Sequence, residues 1–168
     1  MDSYDILQTI AEVAVTIVGF TGVVFAIGRY SNAGTTATQR MGIVHLLIPA
    51  SLSMFLALLP LVLLYAVEDS AELWRYLNLL IGVIHVGGIT DATRRIIRGQ
   101  ALDPIKLQVA LLFVAYLLII TNLAIAFGYL AHLATAVYIG SICWLMFISV
   151  LQFVLLILDN HKEQPIKT

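Results

Sequence analysis

Apolar residues in this chain form five long runs separated by short polar segments. The runs cover residues 6–28, 41–67, 73–90, 107–130 and 135–158. About 20 apolar residues in an α-helix are enough to cross the hydrocarbon core of a bilayer. The pattern therefore predicts an all-α polytopic membrane protein, with five transmembrane helices forming a single domain over residues 1–168. Gly128 is the expected end of the fourth helix, because glycine readily takes the left-handed conformation that terminates helices.

The third run is the weakest of the five predicted spans. It contains Asn78, His85 and three glycines, so a re-entrant or surface segment, leaving four spans, is the alternative. The positive-inside rule favours five spans with the N-terminus outside and the C-terminus in the cytoplasm. In that arrangement only Arg75 lies outside. The other basic residues lie on the cytoplasmic side: Arg29, Arg40, Arg94, Arg95, Arg98, Lys106, Lys162 and Lys167.

Composition agrees with a protein built inside a membrane. Apolar residues make up 61% of the chain, charged residues 11%, and the mean hydropathy is +0.98. Soluble domains carry roughly 25% charged residues. The net charge of −1 predicts no nucleic-acid partner. Acidic residues precede the first run where a signal peptide would be basic, so this run is interpreted as a retained helix.

Several classes of function lack their sequence signatures. No lysine lies within a predicted span, which excludes a retinal Schiff base. No phosphate-binding glycine loop, zinc-spaced histidine motif or nucleophile elbow is found, and Cys143 is the single cysteine. We therefore expect no enzymatic activity, no cofactor and no metal. No asparagine lies in a glycosylation sequon, which is compatible with a bacterial inner (plasma) membrane.

Glu12 is the most informative residue because it is a carboxylate well inside a predicted span. Gln8, Glu12 and Thr16 recur every fourth residue, and Gly19 and Val23 continue the same helix face inward. Such a face predicts the lining of an ion path. The alternative is that Glu12 is hydrogen-bonded within the protein and only fixes helix packing.

Asn78, His85 and Asn122 form a second set of polar residues within the spans. The two asparagines are expected near the depth of Glu12 and able to bond it directly. Asn78 and His85 share a helix face. The set predicts either further lining of a water-filled path, with His85 able to relay protons, or hydrogen bonds that join neighbouring helices.

A basic cluster lies between the third and fourth runs. It comprises Arg94, Arg95, Arg98 and Lys106, with Ile96 and Ile97 between them. Such a segment can lie on the inner leaflet and bind the headgroups of anionic membrane lipids. The alternative is that these charges only set the topology.

Two functions fit this organisation. The first is a homo-oligomeric cation channel in which copies of the first helix surround a path and Glu12 forms an outer acidic ring. The second is a non-conducting scaffold or regulatory subunit that assembles with other membrane subunits through small-residue faces. Stoichiometry in mild detergent separates them.

Overall fold

The structure is a computed structural model that describes residues 3–30, 37–63, 70–98 and 105–162. Within these ranges the chain is helical and contains no β-strand. A short 3-10 helix over Ala131–Leu133 precedes the last α-helix. The five α-helices are α1 (Ser3–Tyr30), α2 (Ala37–Leu63), α3 (Ser70–Ile97), α4 (Ile105–Ala126) and α5 (Ala134–Lys162).

Four of these helices are long and apolar enough to cross a membrane. The qualifying segments are Asp5–Val23, Ala71–Ile97, Lys106–Ala126 and Ala131–Leu155. The predicted α-helical membrane protein is thereby confirmed. In α2 the apolar part found is the shorter Leu47–Leu63. A crossing by α2 therefore stays a prediction, and the expected end of the second run at Val67 lies outside the described residues.

The third run forms an unbroken helix of 28 residues, about 42 Å long at 1.5 Å per residue. This is the form expected of a span and not of a re-entrant segment. The helix extends seven residues beyond the predicted end at Thr90. Asp91 and Arg95 form an ion pair at 2.9 Å in this extension, and Arg94 and Arg95 favour the negative end of the helix dipole.

The fourth helix ends at Ala126, four residues before the predicted end of the span. Gly128 has a φ of 93°, as its expected terminating role requires. Its backbone N–H donates to the carbonyl of Ile125, and the N–H of Tyr129 donates to that of Ala124, both at 2.9 Å. These two bonds form a Schellman motif, which satisfies carbonyls that the helix end leaves open.

The chain divides into two compact units. Unit 1 comprises residues 1–61 and 142–168, and unit 2 comprises residues 62–141. Unit 1 contains α1, most of α2 and the greater part of α5, while unit 2 contains α3, α4 and the start of α5. In unit 2, α3 and α4 pack against each other as consecutive helices.

Candidate functional site: an exposed stripe and a buried polar cluster

The Glu12 stripe, defined as Gln8, Glu12, Thr16, Gly19 and Val23, lies on the surface of α1. All five residues are exposed. At 100° per residue they fall within about 80° of one another around the helix. The opposite face of α1 is buried in unit 1 through Leu7, Ile10, Ala11, Ala14 and Thr21. The helix therefore turns its apolar face inward and its carboxylate outward.

Local hydrogen bonds hold the polar part of the Glu12 stripe. Nε2 of Gln8 donates to Oε1 of Glu12 at 3.1 Å, so the carboxylate is oriented along the helix. The hydroxyl of Thr16 donates to the backbone carbonyl of Glu12 at 2.9 Å. Both bonds stay within α1. The first engages one carboxylate oxygen of Glu12 and the second engages its backbone carbonyl. The stripe thus presents a carboxyl group beside small side chains.

Glycine makes the surface of α1 open on the C-terminal side of Glu12. A Cβ built on Gly19 or on Gly22 would meet no atom within 4 Å. Small residues on a membrane helix allow another helix to approach closely.

A buried polar cluster occupies the interior of unit 2. It consists of Asn78 and His85 on α3, Asn122 on α4 and Ser141 on α5, which are at most 4% exposed. Nδ2 of Asn78 donates to the carbonyl of Trp74 at 2.7 Å and to that of Ala134 at 3.0 Å. Because Ala134 is the first residue of α5, Asn78 joins α3 to the start of that helix.

Asn122 makes the equivalent connection from α4. Its Nδ2 donates to the carbonyl of Leu118 at 2.7 Å and to Oγ of Ser141 at 2.8 Å. A Cβ built on Gly82 of α3 would lie 3.4 Å from Cβ of Asn122. A methyl group at position 82 would thus make an ordinary van der Waals contact with α4, and a larger side chain would press against it.

His85 is the member of the cluster nearest the C-terminus of α3. Nδ1 of His85 lies 2.8 Å from the carbonyl of Ile81. A carbonyl oxygen only accepts, so Nδ1 carries the hydrogen and Nε2 of the neutral ring is an acceptor. Nε2 of His85 and Oδ1 of both asparagines are buried without a partner in the described part of the chain.

Two further contacts in unit 2 lie near the N-terminus of α3. The ring of Trp74 packs edge-on against that of Tyr138, with centroids 5.7 Å apart. Arg75 donates from Nε and Nη2 to the carbonyl of Ala126 at 3.3 and 3.2 Å. The positive charge of Arg75 at the C-terminus of α4 interacts favourably with the negative end of that helix dipole.

The residues predicted to line a path fall into two sets. Glu12, Thr16, Gly19 and Val23 are exposed on α1 in unit 1. Asn78, His85 and Asn122 are buried in unit 2, where the amides bond to carbonyls and to a serine of that unit. The expected direct bond between Glu12 and either asparagine stays a prediction.

Ser141 and Arg75 were missed as functional candidates by sequence reasoning. Ser141 is a polar residue in the apolar run of α5, a signal that could have identified it. The contact of Arg75 joins residues 51 positions apart, and no local signal indicates such a partner.

The predicted headgroup cluster is divided by the structure. Arg94, Arg98 and Lys106 are exposed. Arg95 is half-buried and paired with Asp91. Binding of lipid headgroups by these side chains stays a prediction.

No protein-family profile matches this chain, and comparisons with curated proteins and with solved structures likewise find no match.

Proposed function

We propose that the protein is a small homo-oligomeric channel of a plasma membrane, bacterial by its sequence features, in which copies of α1 surround a cation path. The exposed position of Glu12 within the span Asp5–Val23 is the observation that supports this proposal. The path would run along the Glu12 stripe, with the carboxylates forming an acidic ring toward the outer side.

The energetic cost of an exposed intramembrane carboxylate favours assembly. Insertion scales place a charged residue at the centre of a membrane helix at about 3 kcal/mol. Such a residue therefore faces protein or water. Since the inward face of α1 in unit 1 is apolar, water in an oligomeric path or a partner helix is left to cover Glu12.

The chemistry of the stripe favours cations as the conducted species. A ring of carboxylates attracts cations and repels anions. Thr16 and Gly19 follow Glu12 along the same face and add no charge. The residues that follow Glu12 along the stripe therefore add no second ring of charges to the proposed path.

A non-conducting scaffold or regulatory subunit is the second candidate. The open surface at Gly19 and Gly22 favours it, because another chain's helix can pack there without displacing side chains. In that case Glu12 would be hydrogen-bonded to other membrane subunits.

The Glu12→Gln variant tests the channel, because glutamine keeps the size and hydrogen-bonding capacity but removes the charge. Purified oligomers in planar bilayers would be compared with wild type by conductance and reversal potential. The cation-to-anion permeability ratio is expected to fall roughly 30-fold, since a charge about 4 Å away stabilises a cation by about 1 kcal/mol in water and destabilises an anion by as much. The oligomer should keep its size.

Glu72→Gln is the matched control, because Glu72 is an exposed carboxylate at the start of α3. Its neutralisation should leave the permeability ratio unchanged. A silent Glu12→Gln variant together with loss of assembly in Glu12→Leu would favour the subunit. Absence of flux from verified wild-type oligomers under voltage and ion gradients would overturn the channel.

A further inference from the structure

One face of α3 carries exposed basic side chains at its C-terminal end and exposed apolar side chains along the preceding three turns. This surface, the α3 face, consists of Val83, Val86, Thr90, Arg94, Ile97 and Arg98, all of them exposed. At 100° per residue these positions fall within about 120° of one another around the helix. Ile97, which lies between the two arginines, is 79% exposed. The α3 face thus combines cationic and apolar surface on one side of one helix.

The positive charges of the α3 face are left uncompensated by the described part of the chain. The ion pair at this end of α3 joins Asp91 to the half-buried Arg95, whereas Arg94 and Arg98 form no ion pair with a described residue. Residues 91–106 include four basic and two acidic side chains, a net charge of +2. Charge complementarity therefore favours an anionic partner.

The packing of α3 against α4 brings a third cation to the same end of unit 2. Arg75, near the N-terminus of α3, donates to the carbonyl of Ala126 at the C-terminus of α4, so the two helices are antiparallel. Lys106, the second residue of α4, consequently lies at the same end of the hairpin as Arg98. Its side chain is exposed.

The limits of the two spans locate these cations at the boundary of the membrane. The apolar span of α3 ends at Ile97, and that of α4 begins at Lys106. From Arg94 back to Val83 the helix rises about 16 Å at 1.5 Å per residue, which is close to half of a hydrocarbon core about 30 Å thick. The apolar part of the α3 face therefore extends through about one leaflet.

The combination of charge and apolar surface selects the class of partner. A small soluble anion would leave the apolar part of the α3 face uncovered, and an acidic protein segment at the membrane surface would not extend along it. A phospholipid with a net negative charge matches both parts. Its phosphate can accept paired hydrogen bonds from a guanidinium group, clusters of basic residues at a membrane attract anionic lipid, and its acyl chains cover apolar side chains.

We propose that the α3 face binds an anionic phospholipid. The phosphate contacts Arg94 and Arg98, Lys106 adds positive charge from α4, and an acyl chain lies along Ile97 and Val86. Arg95 takes no part, because its guanidinium is paired with Asp91. The site belongs to unit 2 alone and does not depend on whether the protein conducts ions.

Native mass spectrometry of the full-length protein in detergent tests this site. The probes are phosphatidylglycerol and phosphatidylcholine with identical acyl chains, so that only the headgroup differs. Wild type should bind phosphatidylglycerol more tightly. Arg94→Gln and Arg98→Gln should each reduce this preference roughly fivefold, the factor that corresponds to about 1 kcal/mol for one basic residue near an anionic membrane surface. Lys106→Gln should reduce it in the same direction.

Arg95→Gln is the matched control, because it removes the same charge from the same turn of α3 but from a guanidinium paired with Asp91. The lipid preference should be unchanged in this variant. Arg94→Lys keeps the charge and should lose less of the preference than Arg94→Gln. Equal affinity of folded wild type for the two lipids would overturn the proposal.

Two further outcomes would contradict the assigned residues. An equal loss of preference in Arg95→Gln and Arg94→Gln would show a diffuse attraction to net charge and would overturn a site on the α3 face. An unchanged preference in Lys106→Gln would overturn the contribution of α4.

Discussion

The surface of α1 and the interior of unit 2 use polar residues in opposite ways. In α1, Leu7 and Ala14 are buried in unit 1, whereas Glu12 is on the surface. In unit 2, Asn122 is fully buried, whereas Phe113 on the same helix is 65% exposed. Unit 2 thus buries polar side chains and exposes apolar ones, whereas α1 exposes its carboxyl group.

The polar side chains of the two regions differ in their hydrogen-bond partners. Buried amides in unit 2 bond across three helices and hold that unit together. Among the described residues, the carboxylate of Glu12 accepts a hydrogen bond from Gln8 one turn away. A carboxylate within a span faces protein or water, which is why the proposed path is built on Glu12.

The orientation of the chain gives the largest expected effect, since labelling is all or none. The proposed topology places Asp2 outside and Lys167 in the cytoplasm, and so puts Glu12 toward the outer side. With Cys143 replaced by alanine, an impermeant thiol reagent applied to intact cells should label a cysteine at position 2. A cysteine at position 167 should react only after lysis. The reverse pattern would place the acidic stripe toward the cytoplasm.

Two glycine substitutions, one in unit 2 and one on the surface of α1, have the next largest expected effect. Gly82→Leu forces a side chain against Asn122 and Leu123 and should destabilise the folded chain by about 1–3 kcal/mol. A Cβ at position 19 would meet no atom within 4 Å, so Gly19→Leu should keep or slightly raise stability while weakening self-association. Both changes gain similar helix propensity. Unfolding in detergent measures stability, and equal stability of the two variants would contradict the assigned surfaces.

The contact of Arg75 with the C-terminus of α4 gives the smallest expected effect. Arg75→Met removes the donors to the carbonyl of Ala126 and should cost about 0.3–1 kcal/mol, limited by solvent screening at an exposed site. Arg75→Lys keeps the charge and should recover part of the loss. Unfolding midpoints at low and high salt provide the measurement, and the loss should shrink in salt. Equal stability of Arg75→Met and wild type would show that this contact does not stabilise the folded chain.

Hydropathy and local chemistry were sufficient to predict the elements. Each of the five apolar runs became a helix, because a chain in lipid must satisfy its backbone hydrogen bonds within each segment. Gly128 was recognisable as a helix terminator for the same local reason. The ends were less accurate, since Asp91 and Arg95 extend α3 through an ion pair that an apolar run does not reveal.

The sequence by itself determined the helical membrane class and identified Glu12, Asn78, His85 and Asn122 as polar groups in apolar helices. Only the tertiary structure decided that Glu12 lies on the surface while Asn122 binds Ser141 in the interior. Periodicity shows which residues share a helix face, but the neighbour of that face depends on how helices distant in sequence pack.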